Sequence, residues 1–174
     1  MTDDQKVPKR TTRSVDWRRV LIYGVLPGLA LILALTAGFF KWQYSSVRDS
    51  EAAATESLQA AKDSTVALLS YQPASVDREL AAARDRTTGD FRDAYTQLTN
   101  EVVIPGAKQK QIATAATIPA AVSVSADANH AVALVFVSQT VTIGKDKPSA
   151  SMSSVRVTLD KIGDRWLVSG FDPV

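Results

Sequence analysis

The sequence predicts one transmembrane helix followed by a single small α+β domain. An uncharged run covers residues 20–40, apolar residues recur every three or four positions between 45 and 104, and from residue 111 onward they alternate with polar ones. A chain of 174 residues, less a tail and a span, leaves room for one core. The chain therefore divides into a basic tail at 1–19, the transmembrane helix, and an outer domain at 41–174.

The uncharged run is long enough, as a helix, to cross a hydrocarbon layer of about 30 Å. Six basic residues precede it, and two closely follow it, so the positive-inside rule places the tail in the cytoplasm. A cleaved signal peptide is the alternative, but the run exceeds the usual apolar region of such peptides, and no small-x-small site follows closely. We expect a single-pass protein of the inner cell membrane with a periplasmic domain. The basic residues before the run are Lys6, Lys9, Arg10, Arg13, Arg18 and Arg19, and those after it are Lys41 and Arg48.

A long amphipathic helix is predicted directly after the membrane segment, over residues 45–70. Its apolar stripe could form a coiled-coil seam, but fewer than four heptads of mostly small residues favour packing on its own domain. The stripe consists of Val47, Ala54, Leu58, Ala61, Thr65 and Leu68.

Two shorter helices follow, over residues 76–88 and 90–104. Ser75 is the expected cap of the first, Leu80 and Ala83 are its inward positions, and Gly89 is its expected end. The second has one apolar face, made of Phe91, Tyr95, Leu98 and Val102, and is expected to end at Pro105-Gly106.

Four antiparallel strands are predicted after the helices, because many Val, Ile and Thr residues alternate with polar ones and short turns separate the runs. The first should bend at Pro119, since proline is confined to strand edges and bulges. The first half of the second is apolar on both faces, so we expect both faces to be covered. The predicted strands are 111–124, 131–143, 151–160 and 165–170.

Several short motifs resemble those of the Mce-associated membrane proteins of actinobacteria, which accompany the mammalian-cell-entry lipid transport systems. The resemblance implies a cone-shaped domain like nuclear transport factor 2 and SnoaL, and a role in assembling or stabilising an Mce lipid importer. The motifs are Thr88-Gly89-Asp90-Phe91 with Tyr95, Leu69-Ser70-Tyr71, the segments 103–108 and 135–139, and Trp166-Leu167-Val168.

Catalytic and cofactor chemistry finds little support in the sequence. Cysteine is absent, His130 is the only histidine and is expected to be a solvated turn residue, and no phosphate-binding glycine motif is present. The outer domain carries no basic stripe, so nucleic acid is not an expected partner. We expect no enzyme activity, no catalytic residue, no metal and no cofactor.

Asp90 and Tyr95 need separate consideration, because the fold that the resemblance implies also hosts enzymes that use an Asp base and a Tyr donor. Five positions along a helix correspond to about 500°, which leaves the two side chains about 140° apart. We therefore expect Asp90 to cap its helix and Tyr95 to pack beside Phe91. Gly89 is expected to have positive φ, and Trp166 to belong to the core.

The leading hypothesis is a non-catalytic scaffold whose partners are the membrane and Mce complex subunits. A module that binds a lipid or another hydrophobic small molecule is the alternative, and it predicts an apolar cavity of about 300 Å³ or more. An enzyme of the same fold is the third hypothesis. Within the membrane segment, Gly24 and Gly28 offer small-residue contact positions for a partner helix.

The predicted topology can be tested directly. We expect a reporter that is active only outside the cytoplasm to be active when fused after Val174, and its cytoplasmic counterpart to be inactive at the same position. Activity of the cytoplasmic reporter alone would invert the predicted orientation.

Overall fold

The alternating apolar pattern in the C-terminal half produces one antiparallel sheet with the order β1-β2-β3-β4. The computed structural model describes residues 50–174, so the predicted tail, the membrane segment with Gly24 and Gly28, and the start of the long helix lie outside the described residues. No helix within 50–174 is both long and apolar enough to cross a membrane. The predicted α+β class with four antiparallel strands is confirmed. The strands are β1 (Ile112–Ala126), β2 (His130–Ile143), β3 (Ser149–Ile162) and β4 (Arg165–Pro173).

One face of the sheet forms half of the core. Along β2, the inward side chains alternate with outward ones, and the inward set is buried. The outward Phe136 is 43% exposed, and its neighbours Val132 and Leu134 are only partly buried. The prediction that both faces of this half-strand are covered is therefore wrong for the described part of the chain. Apolar residues on both faces of a strand do not ensure that another helix or sheet packs against each face. The inward residues of β2 are Ala131, Ala133, Val135 and Val137.

Proline disturbs the first strand where the sequence suggests it should. The pairing of β1 with β2 shifts register between Thr117 and Ala120, on either side of Pro119. A second shift lies between Ser123 and Ser125. The proline therefore lies in an edge strand and at an irregularity of its pairing, the two settings in which a sheet tolerates a missing N–H.

The helical part begins with α1 (residues 50–69) and continues through three more helices joined by short connections. The last two are linked by a π-helical turn, so the predicted third helix is present but longer than expected. These elements are α2 (Val76–Arg84), α3 (Gly89–Leu98), the π turn (Thr99–Val103) and α4 (Ile104–Lys110).

The buried stripe of α1 is rotated from the predicted one in the first half of the helix. Ala53 and Ser57 are buried, whereas the predicted Ala54 and Leu58 are only partly so. The hydroxyl of Ser57 donates to the carbonyl of Ala54 at 3.4 Å, so its burial leaves no unmet donor. Small side chains let the helix lie close to the sheet. The complete buried set is Ala53, Ser57, Ala61, Ser64, Thr65 and Leu68.

The second helix ends at Arg84, four residues before its predicted end at residue 88. The chain then pairs with β4: the N–H of Thr88 donates to the carbonyl of Val168 at 2.8 Å, and the N–H of Val168 donates to the carbonyl of Arg86 at 2.9 Å. This parallel bridge uses backbone groups that a longer helix would need. Leu80 and Ala83 are buried as predicted. Ser75 occupies the N-cap position but makes no side-chain capping bond, contrary to prediction.

Gly89 has a φ of +60°, as expected, but it opens α3 instead of closing α2. The preceding Thr88 is extended and holds the N-cap position, without a side-chain capping bond. Asp90 is an exposed residue of the first turn and not the predicted cap. The glycine supplies the left-handed backbone that takes the chain from the β4 bridge into the helix.

The expected stop at Pro105 is wrong, because the π turn leads directly into α4 and the helix continues through the proline. π turns inside helices are places where the regular hydrogen-bond ladder is interrupted, so the missing N–H of a proline can be accommodated beside one. The wider π turn before α4 changes which side chains face inward. Thr99 is buried, whereas the predicted inward residues Leu98 and Val102 are 53% and 61% exposed. The helix ends at Lys110, and the residue that caps it, Gln111, has a φ of +51°.

Replacing Gly89 by Ala is expected to lower the free energy of unfolding by about 1 to 2 kcal/mol, because an L side chain is strained at this φ. Gly106→Ala is the matched control: the added Cβ meets no atom within 4 Å and φ is not positive, so stability should be unchanged or rise slightly. Urea unfolding followed by circular dichroism measures both. Equal effects of the two substitutions would contradict this account.

Candidate functional site

An apolar cavity of about 400 Å³ lies where the helices meet the sheet. Its walls come from the end of α1, the following loop, α2, α3, the π turn, β2 and β4. The volume exceeds the minimum that a hydrophobic binding site requires. The lining consists of Leu68, Leu69, Tyr71, Leu80, Phe91, Tyr95, Leu98, Thr99, Val103, Gln139 and Phe171.

The end of α1 is fixed to the edge of the sheet. Tyr71 and Thr114 exchange backbone hydrogen bonds of 3.0 and 2.9 Å, as an isolated antiparallel bridge. The Thr114 hydroxyl also donates to the carbonyl of Leu69 at 2.6 Å. These bonds place Leu68, Leu69 and Tyr71 together on one wall of the cavity.

Tyr95 is buried, and its hydroxyl donates to the carbonyl of Leu68 at 3.3 Å. Burial raises the pKa of Tyr95 far above its ordinary value, and the neighbouring Tyr71 phenol adds to the rise. Burial also raises the pKa of Tyr71. Both phenols are therefore neutral hydrogen-bonding groups at physiological pH and cannot serve as bases there.

Three aromatic rings form one side of the cavity. The ring centroids of Phe91 and Tyr95 are 6.1 Å apart at 40°, and those of Phe91 and Phe171 are 6.1 Å apart at 21°. Such offset aromatic pairs add to the stabilisation from burial alone. The pair of Phe91 and Phe171 thus links the helix layer to β4.

Gln139 and Tyr71 supply the polar groups of the cavity that are least committed. Nε2 of Gln139 donates to the carbonyl of Leu69 at a long 3.5 Å, which leaves its Oε1 as an acceptor. The Tyr71 hydroxyl has no hydrogen-bond partner among the described residues. The lining contains no Asp, Glu, His, Lys or Arg. The cavity therefore offers a few neutral hydrogen-bonding groups in an apolar wall.

The structure separates the two residues that an enzyme of this fold would pair. Tyr95 lines the cavity, but Asp90 is exposed and is not part of the lining. Gly89 and Thr88 serve the connection to β4 and contribute no wall either. Of the motif residues at 88–95, only Phe91 and Tyr95 are in the cavity.

Trp166 lies in a different cluster, where it ties α1 to the β3–β4 hairpin. Its buried indole donates to Oε2 of Glu56 at 3.4 Å, and Nζ of Lys161 lies 5.4 Å from the ring centroid. Lys161 also donates to Glu56 at 3.2 Å. The hydrogen bond from Lys161, and to a smaller extent the one from Trp166, lowers the pKa of Glu56, so the carboxylate stays charged.

His130 is exposed, as predicted, but it is paired: its Nδ1 lies 2.7 Å from Oδ1 of Asp160 on the neighbouring strand. Burial raises the pKa of Asp160, but hydrogen bonds from His130 and Ser169 lower it overall. Within residues 50–174, no three potential metal ligands come together.

Sequence reasoning singled out Phe91 and Tyr95 as packing residues of one helix face, and it did not single out Tyr71, Gln139 or Phe171 as cavity residues. The last three come from segments far apart in the chain, and Phe171 lies beyond the predicted end of its strand. The only sequence signal for Tyr71 and Gln139 was the motif resemblance, whose segments include both residues.

The fold is similar to those of two solved structures, one of a secretion-system protein and one of a periplasmic domain. An IcmL-like type IV secretion system protein of Legionella pneumophila matches with a TM-score of 0.58 and 10% identity, over 67% of this chain and 88% of that chain. The periplasmic domain of DotI matches with a TM-score of 0.57 and 15% identity, over 67% of this chain and 91% of that chain. At such low identities, the likeness concerns the fold alone.

The chain belongs to the family described as "Uncharacterized protein Rv1363c/MT1408-like", which it matches over residues 23–170. It is 58% identical to the protein named "Outer membrane protein Rv1973" of Mycobacterium tuberculosis, over 92% of this chain and 100% of that protein.

Tyr95→Phe is expected to lower the free energy of unfolding by about 1 kcal/mol, because the carbonyl of Leu68 loses its buried donor. Tyr71→Phe is the control, since its hydroxyl has no partner to lose, and it should leave stability within a few tenths of a kcal/mol. The midpoint of urea unfolding distinguishes the two. A larger loss for Tyr71→Phe would overturn the assigned hydrogen bonds.

Proposed function

We propose that the protein is a non-catalytic accessory or scaffold protein, anchored in the inner membrane, that assembles or stabilises an Mce-type lipid import system. Its outer domain would be periplasmic, with a cone-shaped architecture like that of nuclear transport factor 2. The observation that carries the proposal is a fold similar to those of a type IV secretion system protein and of the periplasmic domain of DotI, behind a predicted membrane helix. The motif resemblance supplies the Mce connection.

Two further facts support the membrane setting and the absence of catalysis. A relative of 58% identity carries the name "Outer membrane protein". The apolar cavity of about 400 Å³ is lined by no carboxylate, imidazole or amine that could transfer a proton near neutral pH. A protein that acts by presenting a surface to its partners needs no such proton-transferring group.

The outer face of the sheet is the surface that we expect partners to use. Phe136 and Met152 are 43% and 79% exposed and line one shallow depression together with Ser153 and Ser154. Large apolar side chains grouped on a surface are typical of protein interaction sites. No described helix covers this face.

Affinity capture of the full chain from native membranes in mild detergent should recover Mce subunits, identified by mass spectrometry. Replacing Phe136 and Met152 together by Asp should lower that recovery at least about tenfold, because two buried apolar contacts are replaced by charges. Val102→Asp is the control, because this residue is 61% exposed in the helical layer and not on the sheet, and it should leave the recovery unchanged. Recovery of no Mce or transport subunit with the wild-type chain would refute the proposal, as would unchanged importer levels after deletion.

The membrane segment supplies a separate test of the same proposal. If Gly24 and Gly28 form a helix contact, replacing both by Leu should reduce capture without changing the sheet surface. Unaltered recovery would exclude these two positions as contacts.

Binding of a hydrophobic small molecule is the second candidate function. The cavity of about 400 Å³ favours it, because a fully packed interior would have excluded it. The two functions are compatible, since the cavity and the outer face of the sheet are formed by different residues.

A further inference from the structure

We propose that the cavity binds a single aliphatic chain that ends in an uncharged hydroxyl-bearing group, such as that of a fatty alcohol or a monoacylglycerol. This inference rests on the second candidate function and specifies its ligand class. Three properties of the cavity lead to it: its size, the lack of charge in its lining, and the position of its uncommitted polar groups.

The size favours one slender ligand. A volume of about 400 Å³ is near the lower end of the range for small-molecule sites. Leu98 belongs to the lining yet is 53% exposed, so the cavity reaches the surface beside it. An aliphatic chain can enter past this apolar rim and bury its length among the leucines and aromatic rings.

The lining disfavours the binding of an ionised end group. Its only titratable side chains are Tyr71 and Tyr95, and no cation is present to pair with a carboxylate or phosphate. The burial that raises the pKa of both phenols penalises any other anion in the same place. A charged head would be desolvated without compensation.

The uncommitted polar groups match a hydroxyl. Tyr71 has a free donor, and Gln139 has a free acceptor in Oε1. Gln139 reaches the carbonyl of Leu69. The Tyr71 phenol is close enough to Tyr95 to raise its pKa, and the Tyr95 hydroxyl reaches the carbonyl of Leu68, so these polar groups gather where α1 ends. A hydroxyl donates and accepts, whereas a carboxylate only accepts and would leave the amide oxygen without a partner.

The experiment uses the full chain in lipid nanodiscs with two photoreactive probes, palmityl alcohol and palmitic acid, each carrying a diazirine at the same chain position. Labelled residues are located by proteolysis and mass spectrometry. At a pH where the acid is ionised, labelling of the cavity residues by the alcohol should exceed that by the acid about tenfold, the equivalent of one uncompensated polar group. The difference should disappear when the acid is protonated.

A matched pair of variants locates the site. Val103→Trp fills the cavity and should abolish the labelling, whereas Val102→Trp, an identical change on the adjacent exposed residue, should preserve it. Should Val103→Trp fail to fold, competition by excess unlabelled palmityl alcohol on the wild-type chain replaces it. Tyr71→Phe should reduce the preference for the alcohol while leaving the cavity open.

The outcomes separate the ligand class from the functions proposed above. Equal labelling by the two probes at the higher pH overturns the ligand class and leaves hydrophobic binding standing. Labelling that Val103→Trp and the competitor both leave intact, or no cavity labelling at all, overturns both. The scaffold function is judged independently, by the recovery of Mce subunits.

Discussion

The carbonyl groups at the C-terminal end of α1 have no partners within their own helix, and much of the domain is arranged around satisfying them. The carbonyl of Leu68 accepts from Tyr95 on α3. The carbonyl of Leu69 accepts from Thr114 on β1 and from Gln139 on β2. One helix end thereby receives a side chain from another helix and from two strands, and the α1 axis, the helix layer and the sheet are fixed relative to each other.

The same bonds define the cavity. The residues that reach the end of α1 cannot also fill the space between α3 and the sheet, so an apolar volume is left beside them, closed by Phe91 and Phe171. The Trp166 cluster fixes the other part of α1 through Glu56 and Lys161. With α1 held at Glu56 and at its C-terminal end, the residues around the cavity are kept in place by contacts that do not require a ligand.

The sheet could be predicted well because its signals are local: period-two alternation, short turns and a proline at an edge. The helices were harder where tertiary contacts decide. The end of α2 is set by pairing with Val168. The buried stripe of α1 includes Ser57 and Ser64, which a hydrophobic pattern does not select. The face predicted for Leu98 and Val102 assumes the 3.6 residues per turn of an α-helix. The π turn has more residues per turn, so the side chains around it point in other directions. Within the cavity, Phe91 and Tyr95 share a helix and a motif, whereas Phe171 comes from the far end of the chain and only folding brings it near.

The irregular pairing around Pro119 affects whether copies of this domain can associate through the edges of their sheets. β1 is an edge strand, and beyond its contacts with Tyr71 and Ser70 its outer side is not covered by any described strand. A straight, fully bonding edge invites another strand to add to it. The proline lacks a donor and the two register shifts break the repeat, so the edge is a poor template. Molecules concentrated at a membrane would then associate through specific side-chain contacts, and not by adding strand to strand through backbone hydrogen bonds.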